Sequence, residues 1–338
     1  MPAFFAEGGI FILVQSIGVG RMKRYASLMM AALLLVLLAA CGSTSSTPSG
    51  EPKPAGEQSA QTPGQFPLTI KDHTGTDVKL TKKPERIVSI MPSTTEIAYA
   101  VGAGDNVVGV SNYDNYPADV KNKEKVGDLK VNTEKVVSLE PDLVLADTGN
   151  GEAVDALRKA GLPVLVMEAK TFDQIYDAIE LIGKATGNDA KASEVVKKMK
   201  ADVADVKKKV ETVDEAKRPN VWIEVDPSLF TAGTGTFIHD MVTMAGGKNI
   251  AADLEGWKQL SEEKVLQRNP DVILNTYGYY DKESAEKIKK RPKWQQVKAI
   301  QNNRVFAVDS DMVTRPGPRI TEGLKEIAAQ LHPELFGK

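Results

Sequence analysis

Short apolar segments alternate with helical patterns over most of this chain. Residues 68–80 alternate apolar and polar positions around a His-Thr-Gly turn, which predicts a β-hairpin. Helical patterns then separate short apolar strands, predicted at 86–90, 107–110, 142–146 and 163–167. Such strand–helix alternation predicts an α/β lobe with a largely parallel sheet.

One long charged segment divides this pattern in two. Residues 189–213 contain no Gly or Pro and place their apolar residues at helical spacing. We predict a single half-exposed helix here, about 37 Å long at about 1.5 Å per residue. The α/β pattern then resumes, with strands predicted at 220–225, 271–275 and 304–308. The predicted fold class is therefore α/β, with two Rossmann-like lobes joined by one long α-helix.

An internal duplication supports this division. EKVVSLEPDLVL, from Glu134, and EKVLQRNPDVIL, from Glu263, are identical at six of twelve positions. Both predict a helix that ends before a Pro-Asp turn and leads into a buried strand. Chance similarity between two helix–strand units is the alternative. An acidic residue in a first helical turn commonly stabilises the helix dipole, but equivalent positions in two lobes make Glu134 and Glu263 candidates for a symmetric docking contact.

The N-terminal segment is typical of an exported lipoprotein. Basic residues between positions 21 and 24 precede an apolar run over 28–40, as in a secretory signal. The run ends Leu-Ala-Ala before Cys41, the single cysteine, which resembles a bacterial lipobox. A buried cysteine at the end of an anchor helix is the alternative.

The predicted organisation follows from these segments. We predict a signal peptide over 1–40, with translation starting at Met22, and a lipidated flexible tether over 41–66, which has almost nothing to bury. The remaining predicted parts are an N-terminal lobe over 67–187, a linker helix over 188–214 and a C-terminal lobe over 215–338.

The composition excludes several functional classes. The 43 Lys and Arg against 45 Asp and Glu leave a formal net charge of −2, which argues against a nucleic-acid partner. Three histidines leave little room for a His-rich metal site. The sequence lacks the GxSxG elbow, the phosphate loop and HExxH. We therefore predict no catalytic residue and no metal, with a surface lipoprotein enzyme or an adhesion module as the alternative of another class.

Aromatic residues gather in the loops that follow the predicted strands. Tyr113 and Tyr116 follow the strand at 107–110, Phe230 follows the strand at 220–225, and Trp257 precedes Glu263. The loops TYGYYDK and DSDMVTRPGPR follow the last two strands. Because open α/β sheets bind ligands at the carboxyl ends of their strands, these loops predict a flat, partly apolar ligand held between the lobes.

From about residue 67 onward, the chain resembles substrate-binding proteins of bacterial ABC importers. The resemblance rests on PERIVSIMPSTTEIAYAVGAGDNVVGVSNYDNYP, EKVVSLEPDLVLA, LFTAG, AGGKNI and SDMVTRPGPRI. It points to the group with two α/β lobes and one linking helix, which serves cobalamin, ferric siderophores and haem. Within that group the chain is most similar to the cobalamin-binding branch.

The resemblance implies a binding protein that captures a corrinoid outside the membrane and delivers it to a dimeric ABC permease. Glu134 and Glu263 match the two glutamates with which family members dock on permease arginines. We expect a monomer anchored through Cys41, with no cofactor of its own. The implied corrinoid contacts are Tyr113, Phe230, Trp257, Asp311 and Arg315, with Tyr116 added from the loop argument.

Two positions depart from the cobalamin branch. The branch has a tryptophan before the first docking helix, where this chain reads Gly127-Asp128-Leu129, and another where it has Asp147. A ferric hydroxamate siderophore is therefore the strongest rival ligand. Haem is a further alternative and would need an axial ligand such as His239, Met91 or a tyrosine.

Overall fold

The computed structural model describes residues 65–128 and 130–337. The predicted signal peptide, Cys41 and nearly all of the predicted tether lie outside the described residues. No helix in the described part of the chain is both long and apolar enough to cross a membrane.

An antiparallel hairpin opens the described chain, as predicted. Its strands are β1 (Leu68–Lys71) and β2 (Asp77–Leu80), whose burial alternates along each strand. The Asp72 carboxylate ends β1 by accepting hydrogen bonds from the backbone N–H groups of Thr74 and Thr76. It also pairs with Arg158, so the hairpin is fastened to the first lobe.

The N-terminal lobe is built on a five-stranded parallel sheet in the order β5-β4-β3-β6-β7. Its central strands are apolar without alternation because helices cover both faces. The strands are β3 (Ile87–Ser89), β4 (Val107–Val110), β5 (Glu124–Lys125), β6 (Leu143–Asp147) and β7 (Val164–Met167). The helices are α1 (Pro92–Ala100), α2 (Thr133–Ser138), α3 (Gly151–Lys159) and α4 (Phe172–Ala185).

One helix, α5 (Asp189–Val210), links the lobes over 22 residues, or about 33 Å at about 1.5 Å per residue. Its buried positions recur every three or four residues, from Ala192 to Val210, while lysines and acids occupy the other face. This stripe packs against α4 and against a helix of the second lobe. The hydrophobic seam therefore holds a largely polar helix in place.

The C-terminal lobe repeats the plan with a four-stranded parallel sheet, in the order β10-β8-β12-β13, and an antiparallel ribbon of β9 and β11. The strands are β8 (Asn220–Glu224), β9 (Phe230–Ala232), β10 (Lys248–Asn249), β11 (Trp257–Gln259), β12 (Val272–Asn275) and β13 (Val305–Ala307). The helices are α6 (Phe237–Met244), α7 (Glu262–Arg268), α8 (Ser284–Lys289), α9 (Lys298–Gln301), α10 (Ser310–Thr314), α11 (Ile320–Leu331) and α12 (Pro333–Phe336).

The predicted fold class is confirmed: two α/β lobes with parallel sheets are joined by one long helix. The duplicated segments also occupy equivalent places. The first contains α2 and β6, and the second contains α7 and β12; β6 pairs with β3, and β12 pairs with β8. Phe230 and Trp257, both expected in loops, begin strands β9 and β11. The bounds given above for the two lobes stay a prediction.

Candidate ligand-binding site

Five aromatic side chains are strongly exposed among the described residues, and all lie in or beside segments that follow sheet strands. Exposed rings in segments at the carboxyl ends of parallel strands indicate a ligand-binding edge. Three of them are predicted site residues, and the other two lie in the loop TYGYYDK, which the sequence analysis named without singling out its tyrosines. The five are Tyr113, Tyr116, Trp257, Tyr279 and Tyr280.

The loop after β4 holds Tyr113 in a fixed position. Ser111 Oγ donates to Asp114 Oδ2 at 2.7 Å, and the Tyr113 N–H donates to Ser111 Oγ at 3.2 Å. The Lys125 ammonium donates to the carbonyls of Ser111 and Asp114, each at 3.3 Å. The polar groups of this loop are thus turned inward, while the Tyr113 ring is 53% exposed.

Asp311 and Arg315 meet this loop across the junction of the lobes. Arg315 donates to Asn115 Oδ1 at 2.7 Å and to the Tyr113 carbonyl at 3.2 Å. Asp311 accepts from Asn115 Nδ2 at 2.7 Å and pairs with Arg315 at 2.9 Å. The structure therefore brings three predicted residues together, with the two charged groups already paired to each other.

A buried carboxylate that sequence reasoning missed completes this junction. Glu96, on α1, accepts two hydrogen bonds from Arg319, at 2.8 and 2.6 Å, and one from Arg315 at 3.1 Å. The Arg319 guanidinium also stacks on Tyr116, 4.1 Å from the ring centroid. Tyr116 is therefore partly covered by a cross-lobe arginine, and it borders a concavity of about 450 Å³ beside α5.

In the C-terminal lobe the β9–β11 ribbon brings Phe230 and Trp257 together. Phe230 pairs with Gln259, and Trp257 pairs with Ala232. Because directly paired residues, and residues two apart on one strand, share a face, Phe230 and Trp257 lie on the same face of the ribbon. Phe237 supports Trp257 through an edge-to-face contact with centroids 6.0 Å apart.

The residues at which the chain departs from the cobalamin branch have structural partners of their own. Asp147 ends β6, and its Oδ1 accepts from the Gly149 N–H at 2.8 Å. Burial raises the pKa of the Asp147 carboxyl.

The candidate axial ligand for haem, His239, lies half-buried on α6, with its Nδ1 3.2 Å from Asn249 Nδ2. The described residues contain no group of three or more His, Cys, Asp or Glu arranged to hold a metal ion.

The two predicted docking glutamates occupy the same helical position. Asn132 caps α2 and Ser261 caps α7 through side-chain oxygens, and Glu134 and Glu263 are each the second residue of their helix. Both are exposed. Neither forms a hydrogen bond or ion pair with any residue that the structure describes. By contrast, the neighbouring Glu262 accepts from Lys293 and Trp294, each at 3.0 Å, and the Lys293 bond lowers the pKa of its carboxyl.

Sequence reasoning missed Glu96 and Asn115, and it included the loop TYGYYDK after β12 without singling out its tyrosines as site residues. Glu96 sits in the segment TTEIAYA, where nothing distinguishes it from a solvent-facing helical acid. Tyr279 and Tyr280 carried a usable signal, because adjacent tyrosines in a polar loop at a strand's carboxyl end have no core to enter.

Comparison with known proteins agrees with this architecture. A family model described as "Periplasmic binding protein" matches residues 87–312. The chain is 42% identical over 323 residues, 93% of its length, to 99% of an "Uncharacterized ABC transporter substrate-binding lipoprotein" of Bacillus subtilis. It is 32% identical over 319 residues, 91% of its length, to 85% of a "Cobalamin-binding protein" of Halobacterium salinarum.

A solved structure gives a similar result. The crystal structure of a possible iron-binding, periplasmic solute-binding protein of Staphylococcus epidermidis superposes with a TM-score of 0.67 at 37% identity. The match covers 74% of this chain and 100% of that protein. The chain therefore belongs to the periplasmic binding protein family, as the substrate-binding component of an ABC importer.

Proposed function

We propose that the protein is a lipid-anchored, extracytoplasmic binding protein that captures cobalamin and delivers it to an ABC permease. The observation that carries this proposal is the set of exposed rings in segments that follow the strands of both lobes, with Tyr113 and Tyr116 in contact with Arg315 and Arg319 at the junction of the lobes. The similarity to a cobalamin-binding protein of Halobacterium salinarum supports it. Anchoring through Cys41 and a monomeric state belong to the same proposal.

The charges at the junction favour a neutral ligand. Arg315 is neutralised by Asp311 and Glu96, and Arg319 by Glu96. A ferric tris-catecholate carries three negative charges and would need cations that are free to pair with it. A corrin ring with amide side chains needs aromatic contact and neutral hydrogen-bonding groups, which the exposed rings and the tyrosine hydroxyls offer.

A ferric hydroxamate siderophore is the second candidate. It carries less charge than a catecholate complex, and the Staphylococcus epidermidis relative is described as a possible iron-binding protein. Asp147, which stands where the cobalamin branch has a tryptophan, removes one aromatic surface from the N-terminal lobe. Haem is the weaker alternative because His239 borders a separate concavity beside α5 that none of the five exposed rings lines.

Titration of the intact protein tests the ligand. Trp257 is exposed and lies on the ribbon with Phe230, so we expect bound cyanocobalamin to quench its fluorescence. Calorimetry should accompany the titration because corrinoids absorb strongly. Trp257→Ala should weaken cyanocobalamin binding about tenfold, since loss of one well-packed aromatic contact costs about 1 to 2 kcal/mol. Binding of a ferrichrome-type complex without binding of cyanocobalamin would favour the second candidate.

The docking role of Glu134 and Glu263 is a separate proposal. Two free carboxylates at equivalent positions in two similar lobes suit a two-fold symmetric permease. Charges that become buried in an interface can contribute several kcal/mol. The double variant Glu134→Ala with Glu263→Ala should keep the ligand affinity and abolish uptake by cells that carry the importer.

A matched control removes the same charge elsewhere. Glu180, on α4, and Glu211, directly after α5, are exposed acids outside the predicted site. Glu180→Ala with Glu211→Ala should leave uptake unchanged. Normal uptake by the Glu134 and Glu263 double variant would refute the docking role without touching the ligand assignment.

A further inference from the structure

The loop after β12 occupies the centre of the C-terminal lobe's ligand edge. In the strand order β8-β12-β13, the segment after β8 leads to Phe230, and the segment after β13 carries Asp311 and Arg315. Because all three strands are parallel, their carboxyl ends lie along one edge. Residues 276–283 therefore emerge between two groups of predicted ligand contacts.

This loop carries the most exposed aromatic rings of the described chain. Tyr279 is 65% exposed and Tyr280 is 57% exposed. Their ring centroids are 4.8 Å apart and their planes are perpendicular. Tyr280 also stacks on Tyr277 at 5.9 Å. The pair thus presents two rings at a right angle, which can contact both a flat surface and its edge.

The base of the loop is fixed by a buried ion pair. Glu224, at the end of β8, has no exposed surface and accepts two hydrogen bonds from Arg291, at 2.8 and 2.6 Å. The same carboxylate accepts from Trp222 Nε1 at 3.1 Å and from the hydroxyl of the buried Tyr277 at 2.5 Å. Tyr277 therefore holds the first residues of the loop against the sheet.

Further contacts fix the rest of the loop. The Thr276 N–H donates to the Glu224 carbonyl at 3.1 Å. Ser284 Oγ donates to Asn275 Oδ1 at 2.8 Å, and Asp281 pairs with Lys287 at 2.7 Å. Exposed tyrosines on a mobile loop would not by themselves indicate a binding site, because single exposed apolar side chains are common on protein surfaces. Two exposed rings on a loop tied down at both ends are preorganised for contact with a partner.

We propose that Tyr279 and Tyr280 contact the ligand and favour a planar, neutral molecule that carries amide groups at its edge. Tyr277, through its hydrogen bond to Glu224, positions the two tyrosines. This inference rests on the proposed function and adds two residues to its site. The rings supply apolar contact, and the hydroxyls supply neutral hydrogen bonds to amide groups. Partial burial, together with Tyr279 and Asp226 nearby, raises the pKa of Tyr280, so its hydroxyl is neutral at pH 7 and can donate a hydrogen bond.

The test is calorimetric titration of the full protein with cyanocobalamin. Tyr279→Ala with Tyr280→Ala should weaken binding at least tenfold, whereas Tyr279→Phe with Tyr280→Phe keeps the rings and should weaken it about threefold. Val137→Ala is the matched control, since Val137 is an exposed apolar side chain on α2, and it should bind like the wild type. Far-UV circular dichroism checks that each variant folds.

The positioning role of Tyr277 is tested by measuring cyanocobalamin affinity with and without the two exposed tyrosines. Tyr277→Phe removes only the hydroxyl that binds Glu224, and it should weaken cyanocobalamin binding about threefold when Tyr279 and Tyr280 are present. In the Tyr279→Ala, Tyr280→Ala background the same change should have no further effect, because the rings that it positions are gone. A purely structural role would give the same loss in both backgrounds and would overturn the positioning role.

The outcomes separate this inference from the proposed function. If the wild type binds cyanocobalamin and the double alanine variant binds it equally well, the inference is wrong and the proposed function stands. If the wild type binds a ferrichrome-type complex or haemin and not cyanocobalamin, both are wrong.

Discussion

Two buried glutamates, Glu224 and Glu96, form the same kind of ion pair with an arginine, but the two pairs have different roles in the structure. Each carboxylate is almost completely buried, and each accepts two hydrogen bonds from one arginine. Glu224 finds Arg291, 67 residues away within its own lobe. Glu96 pairs with Arg319, 223 residues away in the other lobe, and also accepts a hydrogen bond from Arg315.

The difference lies in what each pair fixes. Burying a carboxylate is unfavourable unless a partner and hydrogen bonds compensate it. For Glu224 that compensation is complete when the C-terminal lobe folds, so the pair can hold the Tyr277 loop rigid. For Glu96 it is complete only when the lobes meet. The burial of Glu96 therefore makes the stability of α1 depend on contact between the two lobes.

The largest expected effect comes from Arg291→Met. The change leaves Glu224 with hydrogen bonds from Trp222 and Tyr277 but with no cation. Removing one partner of a buried ion pair costs about 3 to 5 kcal/mol, so the free energy of unfolding should fall by about 3 kcal/mol in urea denaturation. Adding Glu224→Gln should recover part of that loss. No recovery would show that Arg291 acts through its packing on Trp294.

A smaller loss is expected for Arg319→Met. Arg315 still donates to Glu96, so the carboxylate keeps a cation, and the loss should be about 1 to 2 kcal/mol. Because the pair joins the lobes, hydrogen exchange should rise in residues 111–117 and not in residues 276–283. A loss as large as that of Arg291→Met, or exchange confined to the C-terminal lobe, would contradict the cross-lobe role.

The smallest expected effect concerns Asp114, a buried carboxylate that, unlike Glu224 and Glu96, forms no ion pair with an arginine among the described residues. Burial raises the pKa of Asp114, although Ser111, Lys125 and Arg315 act against that shift. Its Oδ1 has no hydrogen-bond partner in the described part of the chain. Ionised Asp114 thus destabilises the fold near neutral pH, and Asp114→Asn should stabilise the protein at pH 7 by about 1 kcal/mol.

The sign of the pH dependence follows from the raised pKa. Below the ordinary aspartate value of about 3.9 the group is protonated in both the folded and unfolded states. The stability gained by Asp114→Asn should therefore shrink as pH falls through the raised pKa toward that value. Urea denaturation of both proteins at several pH values measures the difference. If the gain in the free energy of unfolding does not change with pH, then Asp114→Asn acts through hydrogen bonding and not through ionisation.

Much of the fold could be read from periodicity. The buried parallel strands are short continuous apolar runs, the hairpin alternates every two residues, and the linker helix buries every third or fourth residue; all three patterns are local. Four short strands of the described chain escaped prediction because two or three residues outside a longer apolar run leave no signal: Glu124–Lys125, Phe230–Ala232, Lys248–Asn249 and Trp257–Gln259. The linker helix ends at Val210, a few residues before the predicted bound.

The sequence by itself determined the two-lobe α/β plan, the duplicated helix–strand unit and the loops that carry the aromatic side chains. All of these follow from local pattern, because burial on a strand or helix repeats with the geometry of that element. Only the tertiary structure decided that Arg315 and Arg319 are neutralised by Glu96, and that Tyr277 ties the loop of Tyr279 and Tyr280 to Glu224. Those pairings join residues tens to hundreds of positions apart, and a single sequence holds no local signal for which charges meet once the chain has folded.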